Sequence, residues 1–311
     1  MNRVLEVCLL FLLLFAKTEV KAQDLDPRAY VRIPINGTIL ISGFSYSQGG
    51  VLTDPTLPLE NLKANVEVAS VGAGRTFGLF GRTAQAIAVL PYAWAQANAT
   101  VKGEYESLTR AGLSDIRVRL SVLLFGGKAL KRSEFSKEKS NTVVGTSIMV
   151  TAPSGQYFSN KLINLGTSRW SFKPEVAFSQ KIASRWMIDF YTGVWLFTTN
   201  SSFYPGNSVR KQDPLVAFQT HVSYNLNTLT WIAFDATFYT GGQSSVNGAH
   251  LHDQQENSRF GATIALPVGK RNSLKIAYSK GAIIRVGADF STVTLGLTSA
   301  WFDKPKPPIK N

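Results

Sequence analysis

The chain has 311 residues, a single cysteine (Cys8) and a formal net charge of +13. That length fits one large domain, and beyond the N-terminus no segment approaches the roughly 18 consecutive apolar residues of a membrane helix. The lysines and arginines are spread along the chain rather than packed in one run, so nucleic acid is not an expected partner.

Residues 1–22, MNRVLEVCLLFLLLFAKTEVKA, read as a secretory signal peptide. Arg3 lies in a short n-region, an apolar core runs from Val7 to Ala16, and Val20-Lys21-Ala22 precedes Gln23 as a small-residue cleavage site. Cys8 leaves with it, so the mature chain is expected to hold no thiol and to be stabilised without disulfides. Residues 23–302 form the expected domain, and 303–311 a short Lys/Pro tail.

Twelve period-two segments follow in order, at roughly 36–48, 64–77, 82–97, 112–124, 140–152, 168–180, 185–199, 213–226, 229–242, 257–268, 272–285 and 289–302. Short turns (FGLFGR, QKIASR, NLNTLT, VGKRNS) alternate with longer polar loops near 49–63, 98–111, 153–167, 200–212 and 243–256. The connection at 126–140 is too long for a tight turn and is expected to hold a helical turn. An even strand count with short turns at one end and long loops at the other predicts an all-β fold. It is a transmembrane antiparallel up-and-down β-barrel of about 12 strands, both termini periplasmic, in a bacterial outer membrane.

Parity decides which face meets water. In WMIDFYTGVWLF, Trp186, Ile188, Phe190, Val194 and Leu196 share one face and Asp189 the other; in SDIRVRLSVLL, Ile116, Val118, Leu120, Val122 and Leu124 alternate with Asp115, Arg117 and Arg119. A face that carries ionised groups on strand after strand cannot be a dry core without a large desolvation cost, so it lines a wet lumen and the apolar face meets lipid. This places Glu67, Asp115, Glu175, Asp189 and Asp235 inside with Arg117, Arg119, Arg169, Lys173, Arg259 and Lys275, a nearly balanced set. Trp186, Tyr224 and Trp231 at one end, and Trp94, Trp170, Tyr239 and Phe260 at the other, read as interfacial belts, although Trp231 shares the parity of Asp235.

Catalytic and metal chemistry find little support. His221 faces the lumen with Ser223, but two residues along a strand is roughly 6 to 7 Å, too far for a nucleophile–base bond. His250, His252 and Asp253 lie in a long loop without pre-set ligand geometry, so no metal and no cofactor are expected.

The segments GLSDIRVRLSV (112–122), TAPSGQYFSNKLINLGTSRWSFKPEVAFS (151–179), QDPLVAFQTHVSY (212–224), ATFYTGGQ (236–243) and SRFGATIALPVGKRNSLKIAYSKG (258–281) resemble the bacterial family labelled putative meta-pathway of phenol degradation. The resemblance covers most of the mature chain, with Asn164-Leu165-Gly166 and Trp170-Ser171-Phe172-Lys173-Pro174-Glu175 its most specific run. It implies an outer-membrane barrel that passes small organic solutes. Such barrels end at an aromatic residue read by the barrel-assembly machinery, here Trp301-Phe302 followed by an extra tail.

Twelve strands leave a constricted path rather than an open aqueous channel. The expected function is therefore non-enzymatic passage or binding of a small organic solute. Asp115, Arg117, Arg119, Arg169, Lys173 and Glu175 are expected to form part of the constriction, and Asp189, His221, Asp235, Arg259 and Lys275 to line the path. An outer-membrane enzyme and a structural or adhesive barrel are the alternatives.

Overall fold

The computed structural model describes residues 25–52, 59–101, 104–161 and 163–303. The expected signal peptide (1–22) and the expected tail beyond Asp303 lie outside the described residues.

All twelve expected segments are strands. In chain order the elements are β1 (Gly37–Leu52), β2 (Leu59–Leu79), β3 (Arg82–Val101), β4 (Glu104–Leu113), β5 (Arg117–Phe125), α1 (Arg132–Phe135), β6 (Thr142–Thr151), β7 (Ser171–Lys181) and β8 (Trp186–Phe197). There follow β9 (Asn200–Phe203), β10 (Ser208–Gln212), β11 (Leu215–Asn225), β12 (Trp231–Gly241), β13 (Ser244–Val246), β14 (Ala249–His250), β15 (Gln255–Val268), β16 (Asn272–Ile283) and β17 (Gly287–Phe302). Neighbouring staves pair antiparallel, and β1 pairs both β2 and β17, so the sheet closes into a twelve-stave barrel in which β4 and β5 together make one stave. α1 is the helical turn expected within 126–140.

The break between β4 and β5 has a local cause. Tyr92 pairs with Leu113 and Val89 with Arg117, so three residues, Ser114 to Ile116, face two on β3. One of those two is Pro91, which has no N–H to give the ladder; its carbonyl accepts from Ser114 N at 2.9 Å. The extra residue is a β-bulge, and it leaves Asp115 buried on the inside.

The long-loop end is more ordered than the sequence pattern suggests. β2 and β3 run for 21 and 20 residues, so much of the expected loops at 49–63 and 98–111 is paired strand. Polar residues such as Asn65, Gln96 and Asn98 hide the period-two signal there while the backbone ladder continues. The expected loops at 200–212 and 243–256 hold β9, β10, β13 and β14, a small separate sheet.

The inside-out arrangement holds. Val176 and Phe190 are 52% and 50% exposed, while Asp189, His221 and Asp235 are 0% exposed. The hairpin of β15 and β16 pairs Ile264 with Ile276 and Leu266 with Leu274 on the outer face, and places Lys275 on the inner one.

Three expected placements are corrected. Glu67 pairs with Tyr46 and Trp94, whose side chains are exposed on the outer face, so it points outward rather than into the lumen. β2 carries small or apolar residues on both parities (Val66 and Val68 against Ala69, Val71 and Ala73), so its neighbours set its orientation. Tyr239 is buried against Leu215 and Ala217 inside the barrel, and Trp231 lies under the Arg28 guanidinium at 4.5 Å; neither belongs to an interfacial belt.

Arginine on the outer face should cost roughly 2–4 kcal/mol near the bilayer midplane. Val176→Arg and Leu120→Arg are expected to abolish heat-modifiable folded barrel. Gly296→Lys, at an inward position where an added Cβ meets nothing within 4 Å, should leave it intact. Equal loss at all three sites in a gel-shift assay would contradict the placement of the two faces.

Candidate functional site

The lumen is not empty. Residues 25–36 enter at the short-turn end, where Ile35 N donates to Leu130 O (2.9 Å) and Asn36 N to Thr76 O (2.8 Å), and climb to the middle of the barrel. Tyr30 is 1% exposed; its hydroxyl donates to Glu175 Oε1 (2.9 Å) and shares a hydrogen bond with Ser147 Oγ (2.7 Å). Burial pushes the Tyr30 phenol up to about 12, so it stays protonated and able to donate. Ala29 N donates to Tyr191 Oη, Arg28 to Asn225 Oδ1, and Asp26 accepts from Lys275 Nζ at 2.7 Å.

Two inward glycines make room for this segment. A Cβ on Gly145 would stand 2.4 Å from the Tyr30 ring, and one on Gly261 would stand 2.3 Å from Leu25 Cδ1. Real carbon atoms do not approach so closely, so a side chain at Gly145 displaces the Tyr30 ring, and one at Gly261 forces at least the end of the Leu25 side chain aside.

Five cation–aromatic pairs line the inside. Arg169 lies 4.3 Å from the Phe197 ring centroid and Lys173 4.2 Å from Trp195. Deeper, Arg119 lies 4.7 Å from Tyr30, and Trp231 is shared by Arg28 at 4.5 Å and Lys275 at 5.9 Å. Most of these cations are also neutralised: Lys173 by Glu175, Arg119 by Glu175 (3.4 Å) and Asp26 (4.0 Å), and Lys275 by Asp26. Each ring face adds attraction to a cation whose water has been partly removed.

A second cluster crosses the wall in one register row: Ser179, Asp189, His221, Asp235 and Gly261 are successive partners on β7, β8, β11, β12 and β15. His221 Nδ1 bonds Asp235 Oδ1 at 2.7 Å, and Thr263 Oγ1 donates to Asp235 Oδ2 at 2.9 Å. His221 Nε2 and Ser223 Oγ have no hydrogen-bond partner among the described residues, so the imidazole is oriented by an aspartate but addresses no nucleophile.

The structure therefore brings Arg119, Lys173 and Glu175 together, and His221 with Asp189 and Asp235. Arg259 is buried, with Nη2 donating to Ser279 Oγ at 3.1 Å. Asp115 is occupied elsewhere: it accepts from Gly155 N (2.8 Å), Thr167 N (2.9 Å) and Thr167 Oγ1 (2.6 Å), fastening the loop after β6 to the wall. Arg117 is exposed, and Arg169 lies at the long-loop mouth rather than beside Glu175. Sequence reasoning missed Asp26, Arg28 and Tyr30, and also the inner aromatics Trp195 and Phe197; the inward parity of Gly145 and Gly261 was the available signal.

Gly145→Ala should dislodge Tyr30 and loosen its segment. Losing buried hydrogen bonds worth about 1–3 kcal/mol would raise the open population by roughly 5- to 150-fold. Limited trypsin cleavage after Arg28 and Arg32 in the refolded barrel should accelerate accordingly, and cleavage at the wild-type rate would show that the segment is held otherwise.

A comparison with curated proteins found no match. Among solved structures, an outer membrane channel from Pseudomonas putida F1 aligns with TM-score 0.78 at 18% identity, covering 89% of this chain and 100% of that one. The β domain of the Bordetella autotransporter Brka (TM-score 0.51, 12% identity, 86% and 100% covered) and the transport unit of the Escherichia coli autotransporter AIDA-I (TM-score 0.51, 9% identity, 89% and 93% covered) share the barrel more loosely. The chain shares the closed antiparallel β-barrel fold of these structures. With residues 42–297 matched by its family model, it belongs to the family described as "Putative MetA-pathway of phenol degradation".

Proposed function

We propose that this barrel passes a small organic solute with an apolar or aromatic body through a narrow lumen of mixed charge, without catalysis. The observation that carries the reading is the set of aromatic faces and neutralised charges inside a barrel whose outside is apolar. Ring faces accept an apolar solute body, while balanced ion pairs impose no single-sign filter on small ions. The similarity to an outer membrane channel supports the same reading.

In this reading the short-turn end, where β1 begins and β17 ends, faces the periplasm, and residues 25–36 narrow the path until displaced. Arg119 is the keystone, because it faces Tyr30, Glu175 and Asp26 at once. Arg119→Ser should at least double single-channel conductance of the refolded protein in planar bilayers and shift it towards cations, since Glu175 and Asp26 lose a counter-charge. Unchanged current and selectivity would remove this constriction from the path.

Lipid and the barrel-assembly machinery are the remaining partners. Trp301 and Phe302 close β17 opposite Thr38 and Gly37, and we assign them as the assembly signal. Asp303 pairs with Arg75, and its N–H donates to Asn36 O at 3.0 Å, so the seam extends one residue further. Truncation after Asp303 should therefore insert normally in vivo, whereas truncation after Ala300 should leave no membrane-inserted barrel. Loss of insertion from the shorter truncation alone would shift the signal into the tail.

A further inference from the structure

We propose that the long-loop mouth carries a carboxylate-binding subsite built on Arg169 and Arg210, so that the preferred solute is a small organic acid with an apolar body. The proposal rests on the passage reading above and names the solute class for it.

Arg169 is 9% exposed, its guanidinium lying against Phe197. Its Nη2 donates to Gln212 Oε1, and its Nη1 has no partner. Arg210 and Gln212 stand two residues apart on β10, hence on one face and roughly 7 Å apart. Arg210 Nη2 donates to Ser244 Oγ at 3.0 Å, its guanidinium lies 5.4 Å from the Phe203 ring, and its Nε has no partner. Burial first, and the charge of Arg210 second, push Arg169 down to about 10; it is still cationic at neutral pH.

The contrast with the deeper cations is the decisive point. Lys173, Arg119 and Lys275 each have a carboxylate within ion-pair distance, whereas among the described residues neither Arg169 nor Arg210 has one within 4 Å. The neighbouring acids are spoken for. Asp115 already accepts three hydrogen bonds from Gly155 and Thr167, and Asp253 accepts from Ser244 N at 2.7 Å while acting on Arg210 only at longer range. A buried guanidinium with unused donors is costly unless an anion completes it.

The geometry selects the anion. A guanidinium presents a planar fork that matches a carboxylate. With Asp253 offsetting part of the Arg210 charge, the mouth suits one negative charge better than two. Beneath it lie Phe197, Trp195, Leu215 and Tyr239, an apolar wall on which a ring or short alkyl chain would rest.

Benzoate and its neutral isostere benzamide separate these contributions. Titration calorimetry on the full-length refolded barrel should show benzoate binding at least tenfold tighter than benzamide. Arg169→Gln should remove most of that preference and Arg210→Gln part of it, each weakening benzoate far more than benzamide. Equal affinity for the two probes in the wild type, or wild-type benzoate affinity in both variants, would overturn the subsite. If Arg169→Gln yields no heat-modifiable barrel, the less buried Arg210→Gln decides alone: wild-type benzoate affinity there overturns the proposal. Proteoliposome swelling reports on passage separately. Benzoate binding without solute entry would sustain the subsite and refute the passage reading; solute entry without benzoate preference would do the reverse.

Discussion

A chain that crosses lipid as strands must close its sheet, because an unpaired backbone edge in hydrocarbon costs several kcal/mol for each stranded group. Here the closure is the ladder from Gly37↔Phe302 to Leu52↔Gly287, which joins the first stave to the last. Once closed, the sheet has two faces of opposite demand. Hydrocarbon excludes charge from the outer face, so the charged side chains at its depth turn inside, where twelve staves leave too little width for each to keep its own water. The lumen answers with mutual neutralisation: Glu175 faces Lys173, Arg119 and the Tyr30 hydroxyl, and Asp26 faces Lys275 and Arg119.

The same constraint explains what was legible in the sequence. β8, β11 and the β15–β16 hairpin alternate cleanly because each residue must satisfy either lipid or the lumen, and their spans and inward residues were readable from parity alone. β2 was not, since small residues satisfy both sides and Glu67 followed its neighbours' register instead of its own pattern. Trp231 and Tyr239 were misplaced because an aromatic ring suits a membrane interface and a lumen wall equally well; only their shared parity with Asp235 distinguishes the two. The stretch LDPRAYVR has no period at all, being irregular chain shaped by its container, so nothing local announced that it lies inside the barrel.

That segment changes the meaning of the inward charges. Without residues 25–36, Lys275 would have no acid at ion-pair distance among the described residues, and Arg119 would keep Glu175 alone. The barrel wall is therefore electrostatically incomplete by itself and is completed by a piece of the same chain that no strand hydrogen bonds hold along its upper part. Its attachment is made of side-chain contacts: Tyr30 over Gly145, Leu25 over Gly261, Arg28 over Trp231. Such contacts are individually worth about a kcal/mol or less, and the buried Tyr30 hydrogen bonds about 1–3 kcal/mol, so the segment is easier to move than a stave held by a full backbone ladder. Under the proposed passage function, a solute that supplied a ring face or a counter-charge would compete for the same partners that hold the segment, which would couple occupation of the lumen to its opening.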